Sequence, residues 1–155
     1  MTRPANPQDH EFIARLANAF DRFGPYAQVF ADMLDGNHAA LVPYGVNGEV
    51  ALFIHEDGLG QCTGFVAVEW RQRVGHIHGV VVDDQFRRQG VATRLLNHVE
   101  QLARDRGITT LECITAETDN APALHCFTQW GFDNEGSVGN YPLGQRAVRL
   151  RRELQ

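Results

Sequence analysis

Several features are scarce in this chain, and each scarcity removes a class of protein. Only three cysteines occur among 155 residues. Cys62, Cys113 and Cys126 lie far apart, with no CxxC or metal-type spacing. A disulfide or zinc framework is therefore excluded and reduced thiols are expected. No apolar run is long enough to cross a bilayer, and the opening MTRPANPQDHEF lacks the apolar core of a secretory signal. The expectation is a soluble, cytoplasmic protein with no membrane partner. Net positive charge is missing as well. Fourteen basic against nineteen acidic side chains leave a formal charge of −5, which excludes a nucleic-acid binder working through overall charge. The seven histidines show no HExxH or similar ligand spacing, so no metal site is expected.

What is present has an ordinary globular composition, 43% hydrophobic and 21% charged, in a chain long enough to bury a core without staples. No repeat, linker or low-complexity tract divides it, so residues 1–155 are expected to form one domain. Asn6-Pro7 reads as a helix start, followed by Phe12, Ile13, Leu16, Ala17 and Phe20 at helical spacing. Gly24-Pro25 interrupts, and a second helix is predicted over 27–34. Residues 49–55, 62–70 and 74–82 read as strands joined by hairpin-length turns, an antiparallel meander. Ala92, Leu95, Leu96, Val99, Leu102 and Ala103 form one face of a helix that stops at Gly107. A strand over 108–115 follows, then a helix over 121–130 capped by Asp119 or Asn120, with Pro122 in its first turn. Phe132 onward returns to strand, Tyr141-Pro142-Leu143-Gly144 turns, and 146–152 alternates as a last strand whose arginines make an exposed face. This order predicts an α/β fold: a mixed, mostly antiparallel central sheet with helices on both faces. The unit from Val74 to Thr115 would be a right-handed crossover between parallel strands.

The segment DDQFRRQGVAT, residues 83–93, joins strand to helix within that unit. Free backbone N–H groups and the positive end of the helix dipole converge there. Gly90 permits a tight turn and the close approach of an anion, and Arg87 and Arg88 add charge. The segment is not a P-loop, because the Gly-Lys-Ser/Thr ending is absent, nor does it hold the three glycines of the dinucleotide fingerprint. The residues alone leave two readings open: a phosphate site, or a capped loop with solvent-facing arginines.

Arg87-Arg88-Gln89-Gly90-Val91-Ala92 resembles the Arg/Gln-x-x-Gly-x-Gly/Ala signature of the GNAT superfamily of N-acetyltransferases. Downstream, Asn120-Ala121-Pro122-Ala123, Phe127 and Gly131-Phe132 are similar to the family's Asn-x-x-Ala…Tyr…Gly-Phe pattern, and Arg3-Pro4-Ala5 with Asp9 resembles its usual opening. The resemblance spans almost the whole chain, and its weight lies in the order and spacing of motifs that are individually weak. It implies acetyl-CoA or a related acyl-CoA as co-substrate. The N–H groups from Arg88 through Thr93 would hold the pyrophosphate. The backbone of Val80 and Val82 would pair with the pantetheine arm, Asn120 would contact the same arm, and Phe127 would lie near the thioester sulfur. A homodimer through the terminal strands is a further family property.

Acetyl transfer to an amine needs a base for the amine's proton and an N–H donor for the charge developing on the thioester oxygen; the Val80 backbone is the candidate donor. In a regular strand His76 and His78 would share one face with Val80 and Val82, and a histidine titrates near the working pH. Glu69 is a third candidate base, although a carboxylate at a strand end is more often merely solvated. Phe127 stands where the family commonly has a tyrosine acid and has no proton to give. Tyr141 is the candidate replacement, with plain turn packing as its alternative. The expected function is transfer of acetyl to a primary amine by direct attack in a ternary complex, the acceptor being a small molecule. The alternatives are a protein N-terminus or lysine as acceptor, or an acyl-CoA sensor that transfers nothing.

Overall fold

The computed structural model describes residues 1–18, 26–116, 121–141 and 145–154, without the side chains of 26, 116, 121–123, 140–141 and 145–146. Phe20, Gly24-Pro25, Asp119, Asn120 and the turn at 142–144 lie outside the described residues. A short strand β1 (Thr2–Pro4) opens the chain, followed by α1 (His10–Asn18), α2 (Tyr26–Asp35), the one-turn α3 (His38–Leu41), β2 (Glu49–Glu56), β3 (Cys62–Arg71) and β4 (Val74–Val82). The second half comprises α4 (Val91–Asp105), β5 (Thr110–Ala116), α5 (Ala121–Gln129), β6 (Asp133–Tyr141) and β7 (Gln145–Glu153).

The seven strands make one sheet in the order β1-β2-β3-β4-β5-β7-β6. Every neighbouring pair is antiparallel except β4 and β5, which run parallel, as the strand-loop-helix-strand reading requires. The start of the first helix follows its sequence signal: Asn6 Oδ1 accepts from Gln8 N at 2.9 Å, and Asp9 answers by accepting from Asn6 N at 2.8 Å. A single 3₁₀ turn, Pro7–Asp9, precedes α1. Arg3 then grips Asp9 through two bonds of 2.8 Å and also bonds Glu56, which ties β1 to the neighbouring strand.

Two cores lie on opposite faces of the sheet. On one face, Val91, Leu95, Leu96, Val99 and Ala103 of α4 pack with Val66, Val68, Ile77, Leu111 and Leu150, joined by Phe127 and Phe132. On the other, Ile13, Leu16 and Ala17 of α1 and Val29, Phe30 and Met33 of α2 pack with Phe65, Ala67 and Val81. Each large side chain so buried stabilises by about 1.5–3 kcal/mol. Phe30 comes so close to the sheet that a Cβ at Gly79 would stand 2.8 Å from its Cζ, so only glycine fits beneath it.

Candidate active site

A disturbance in β4 organises the site. The β3–β4 ladder pairs Ala67 with Gly79 and then Val68 with Ile77, so His78 is an extra residue with no partner across the ladder. Such a bulge re-aims side chains and bends its strand. The sequence expectation that His76, His78, Val80 and Val82 share one face fails for this reason. Ile77, Val80 and Val82 pack on the α4 core. His76 and His78 lie on the other face, where both reach carboxylates and their ring centroids stand 4.5 Å apart.

Beyond the bulge β4 parts from β5. Their pairing runs from Val74–Thr110 to Ile77–Cys113 and stops. Asp83 N–H donates to Thr63 O at 2.9 Å, so by the alternation of an antiparallel ladder Val81 also faces β3. The N–H and C=O groups of Val80 and Val82 therefore point the other way, into the opening between the parallel strands. An extended arm carrying amide groups can pair there as an added strand would.

At the far end of the opening, Asp83 accepts from Gln85 N at 3.2 Å and starts a 3₁₀ turn over Asp84–Phe86. Arg88 follows with φ of 64° and Gly90 with φ of 77°, both left-handed. Alternating backbone of this kind turns successive N–H groups inward as an anion-binding nest. For Arg88, a residue with a Cβ, it also stores strain. Among the described residues no side chain caps α4, so the N–H groups of Val91, Ala92 and Thr93 remain open at the positive end of the dipole. Arg87 is exposed and pairs with Asp84 at 3.0 Å, while Arg94 steadies the loop by donating to Gln89 O at 3.1 Å. Val91 is buried against the core and Ala92 half-buried. The loop is thereby fixed from behind while its donors face out. These features fit a pyrophosphate.

On the opposite face, Glu69 is fully buried. The expectation of a solvated strand-end carboxylate is corrected here. Its Oε2 accepts from Gly48 N at 2.8 Å and Asn47 N at 3.2 Å, and its Oε1 from His78 Nε2 and Arg71, each at 2.8 Å. Burial alone would raise its pKa, but the bonds from His78, Arg71 and Gly48 outweigh that and hold it far below the usual carboxylate range. An ionised Glu69 can only accept, so His78 carries its proton on Nε2 and keeps a lone pair on Nδ1. Burial pushes the His78 pKa down, against the opposing pull of Glu69, which keeps the imidazole neutral and basic near pH 7. His76 repeats the arrangement: its Nδ1 donates to Glu112 Oε1 at 2.8 Å, and that bond first of all lowers the Glu112 pKa.

Several of the expected residues are thus brought together and others are not. His76, His78 and Glu69 form one connected network, and Val80, Val82 and the 87–93 loop line one opening. Phe127 is buried and packs edge-on to Phe132 at 5.1 Å, on the α4 face away from the histidines. Trp70 lies on that same face with Arg106 stacked over it at 4.9 Å, so it packs and does not border the histidines. Tyr141 ends β6; its side chain, like Asn120, lies outside the described residues. Sequence reasoning missed Glu112, Arg71, Arg149 and Arg151. The arginines predicted as an exposed strand face instead turn partly inward: Arg149 and Arg151 each bring Nε within 3.9 Å of Glu112 Oε2. A charged residue inside the apolar run LECIT was the available signal for Glu112.

Comparison with known proteins shows the family. Residues 13–132 match the acetyltransferase (GNAT) family, and the chain belongs to that family. An L-amino acid N-acetyltransferase, AaaT, of Escherichia coli (strain K12) is 28% identical over 89 residues, a match that covers 54% of this chain and 54% of that protein. The chain thus spans about half the length of this curated relative. Among solved structures, a Desulfovibrio desulfuricans protein assigned to the GNAT family superposes with a TM-score of 0.80 at 21% identity, covering 99% of this chain and 98% of its own. A spermidine N-acetyltransferase from Vibrio cholerae, solved with CoA and spermine, gives 0.76 at 18% identity, with 99% and 94% covered. At these identities the two structures establish the shared fold. No helix among the described residues is long and apolar enough to cross a membrane.

Proposed function

We propose that the chain is a single-domain enzyme that moves an acetyl group from acetyl-CoA to the primary amine of a small molecule, with His78 as the base. The observation that carries this reading is the bulge: one extra residue in β4 opens the strands for an acyl carrier and sets a neutral, carboxylate-anchored imidazole beside the opening. The nest from Arg88 to Thr93 would hold the pyrophosphate. Val80 and Val82 would pair with the pantetheine amides, and Asn120 and Phe127 keep their family roles as expectations. The Val80 N–H, directed into the opening, would donate to the thioester oxygen as it gains charge.

His78 Nδ1 takes the amine's proton, directly or through one water. The amine nitrogen then bonds to the acyl carbon, the carbon–sulfur bond breaks, and the departing thiolate collects a proton. Tyr141 is one source for that proton. Water is another, since a free thiol has a pKa of about 8.5. His76, bound to Glu112, supports the His78 ring and is the second candidate base.

A sensor that binds acyl-CoA without transferring it is favoured by Phe127 alone, buried where a proton donor would otherwise stand. Thiol release from acetyl-CoA with a panel of amines separates the two readings, run beside calorimetry of acetyl-CoA binding. Amine-dependent thiol release supports the transferase. Tight binding without release across the panel leaves the sensor, and absence of binding removes both.

A further inference from the structure

The guanidinium groups around Glu112 are more numerous than its charge requires. Arg71, Arg149 and Arg151 surround it at 3.6–3.9 Å. The Nε of each is buried and lacks a hydrogen-bond partner among the described residues. Arg71 is otherwise satisfied by Glu69. Arg149 and Arg151 are not: among the described residues their side chains make only ion contacts, and neither guanidinium donates a hydrogen bond. Glu112 has already committed Oε1 to His76. Three guanidiniums thus crowd two buried carboxylates, Glu69 and Glu112, which leaves a surplus of unused donors on Arg149 and Arg151. The other carboxylates of the face take up none of these donors: Glu135, 3.8 Å from Arg151, and Asp133, its cross-strand partner, are exposed and screened by solvent, and Glu153 accepts from Thr110 at 2.9 Å.

Register places that surplus beside the proposed base. Ile77 pairs with Cys113, so Ile114 is the β5 residue level with His78, and Arg149 lies directly across from Ile114. His78 and Arg149 are therefore two strands apart, across the gap where β4 parts from β5; two ordinary strand spacings, about 10 Å, are the least separation of their backbones, a span that the length of an arginine side chain shortens. Both arginines remain about a third exposed, at 40% and 32% for their side chains, so a solute can reach them.

We infer that this cluster is the acceptor's anion subsite, and that the acceptor is an amine bearing a carboxylate, an amino acid or a close analogue. This rests on the proposed transfer with the acceptor amine at His78. A planar carboxylate matches the fork geometry of Arg149 and Arg151 and their unused donors. A polyamine would meet like charge here, despite the acidic balance of the chain as a whole.

The test is calorimetric titration of L-amino acids, each beside its own carboxamide, and of spermidine, with and without saturating CoA. At least one amino acid is expected to bind tenfold or more tightly than its amide. Arg149→Gln and Arg151→Gln should bring that ratio towards one, and Arg149→Lys, which keeps the charge but loses the fork, should restore part of it. Equal binding of acid and amide, preference for spermidine, or no amino acid binding at millimolar concentration would overturn the inference. The wild-type acid-to-amide ratio decides the matter even where a variant fails to fold. Discrimination between acid and amide without acetyl transfer would sink the proposed activity alone, whereas transfer to amides and polyamines without discrimination would sink the anion subsite alone.

Discussion

Between Asp83 and Thr93 most groups that matter are backbone; on the sheet face around His78 most are side chains. In the proposed site the loop would act through the N–H groups of Arg88 to Thr93, which two left-handed residues and an uncapped helix start leave open. The sheet face would act through Glu69, His78, His76 and Glu112, which lie on three different strands and meet only because β3, β4 and β5 are in one register. A backbone site tolerates many side chains so long as the conformation survives. A side-chain network fails when any member is removed, because the partners left behind are buried and unpaired.

Glu69→Ala breaks that contrast most severely. It leaves Gly48 N–H, His78 and Arg71 without their shared acceptor, and a loss of about 3–5 kcal/mol is expected in urea unfolding, as for one partner of a buried ion pair. An unchanged midpoint would show that Glu69 is not the anchor of this face. His78→Gln tests the chemistry with less structural damage: kcat/KM should fall by on the order of 10²-fold or more, while calorimetry finds acetyl-CoA affinity nearly intact. Comparable losses in both measurements would mean that His78 shapes the donor site and is not the base.

Gly90→Asp probes the loop from the opposite side. It forces a Cβ residue into a left-handed position and brings negative charge to the nest, so the Kd for acetyl-CoA should rise roughly tenfold or more. Urea unfolding should show a change of only about 1 kcal/mol, the usual cost of such a conformation. Normal binding by this variant would remove the pyrophosphate from the loop.

The smallest effect expected is on pH dependence. Burial lowers the His78 pKa, and the neutral ring is the competent base. The acid limb of kcat/KM should therefore lie below the ordinary histidine value of about 6.5. The unfolded chain takes up this proton first as pH falls. His78's contribution to stability is thus complete above about 6.5 and is lost as pH drops through the lowered folded value. Glu69→Gln removes a carboxylate that raises the His78 pKa, so the limb should move further towards acid. A limb that stays put in this variant would assign the titration to another group.

Much of the fold was readable along the chain because its signals are local. The Asn6 cap, the apolar stripe of α4 and the alternation of β2 to β4 each depend on neighbours a few residues away. The short β1 escaped notice. It is a three-residue edge strand containing a proline, and its place is secured by pairing with β2 and by Arg3, which bonds Glu56 at the end of β2 and Asp9 before α1.

The same division runs through the site. The run Arg87 to Thr93 was legible as a candidate because a turn, a glycine and a helix start are written into consecutive residues, and the proposed binding is by backbone. The chain likewise named His76 and His78 as the groups able to carry a proton near neutral pH. Only the tertiary structure decided which way they face. A bulge is a mismatch in count between two paired strands, and one extra residue at position 78 sends the histidines to one side and Val80 and Val82 to the other. It also brought Glu69, Glu112, Arg71, Arg149 and Arg151 together from three strands separated by up to 82 positions in the chain. No local pattern encodes that meeting, because what holds it is the burial of paired charges across the sheet.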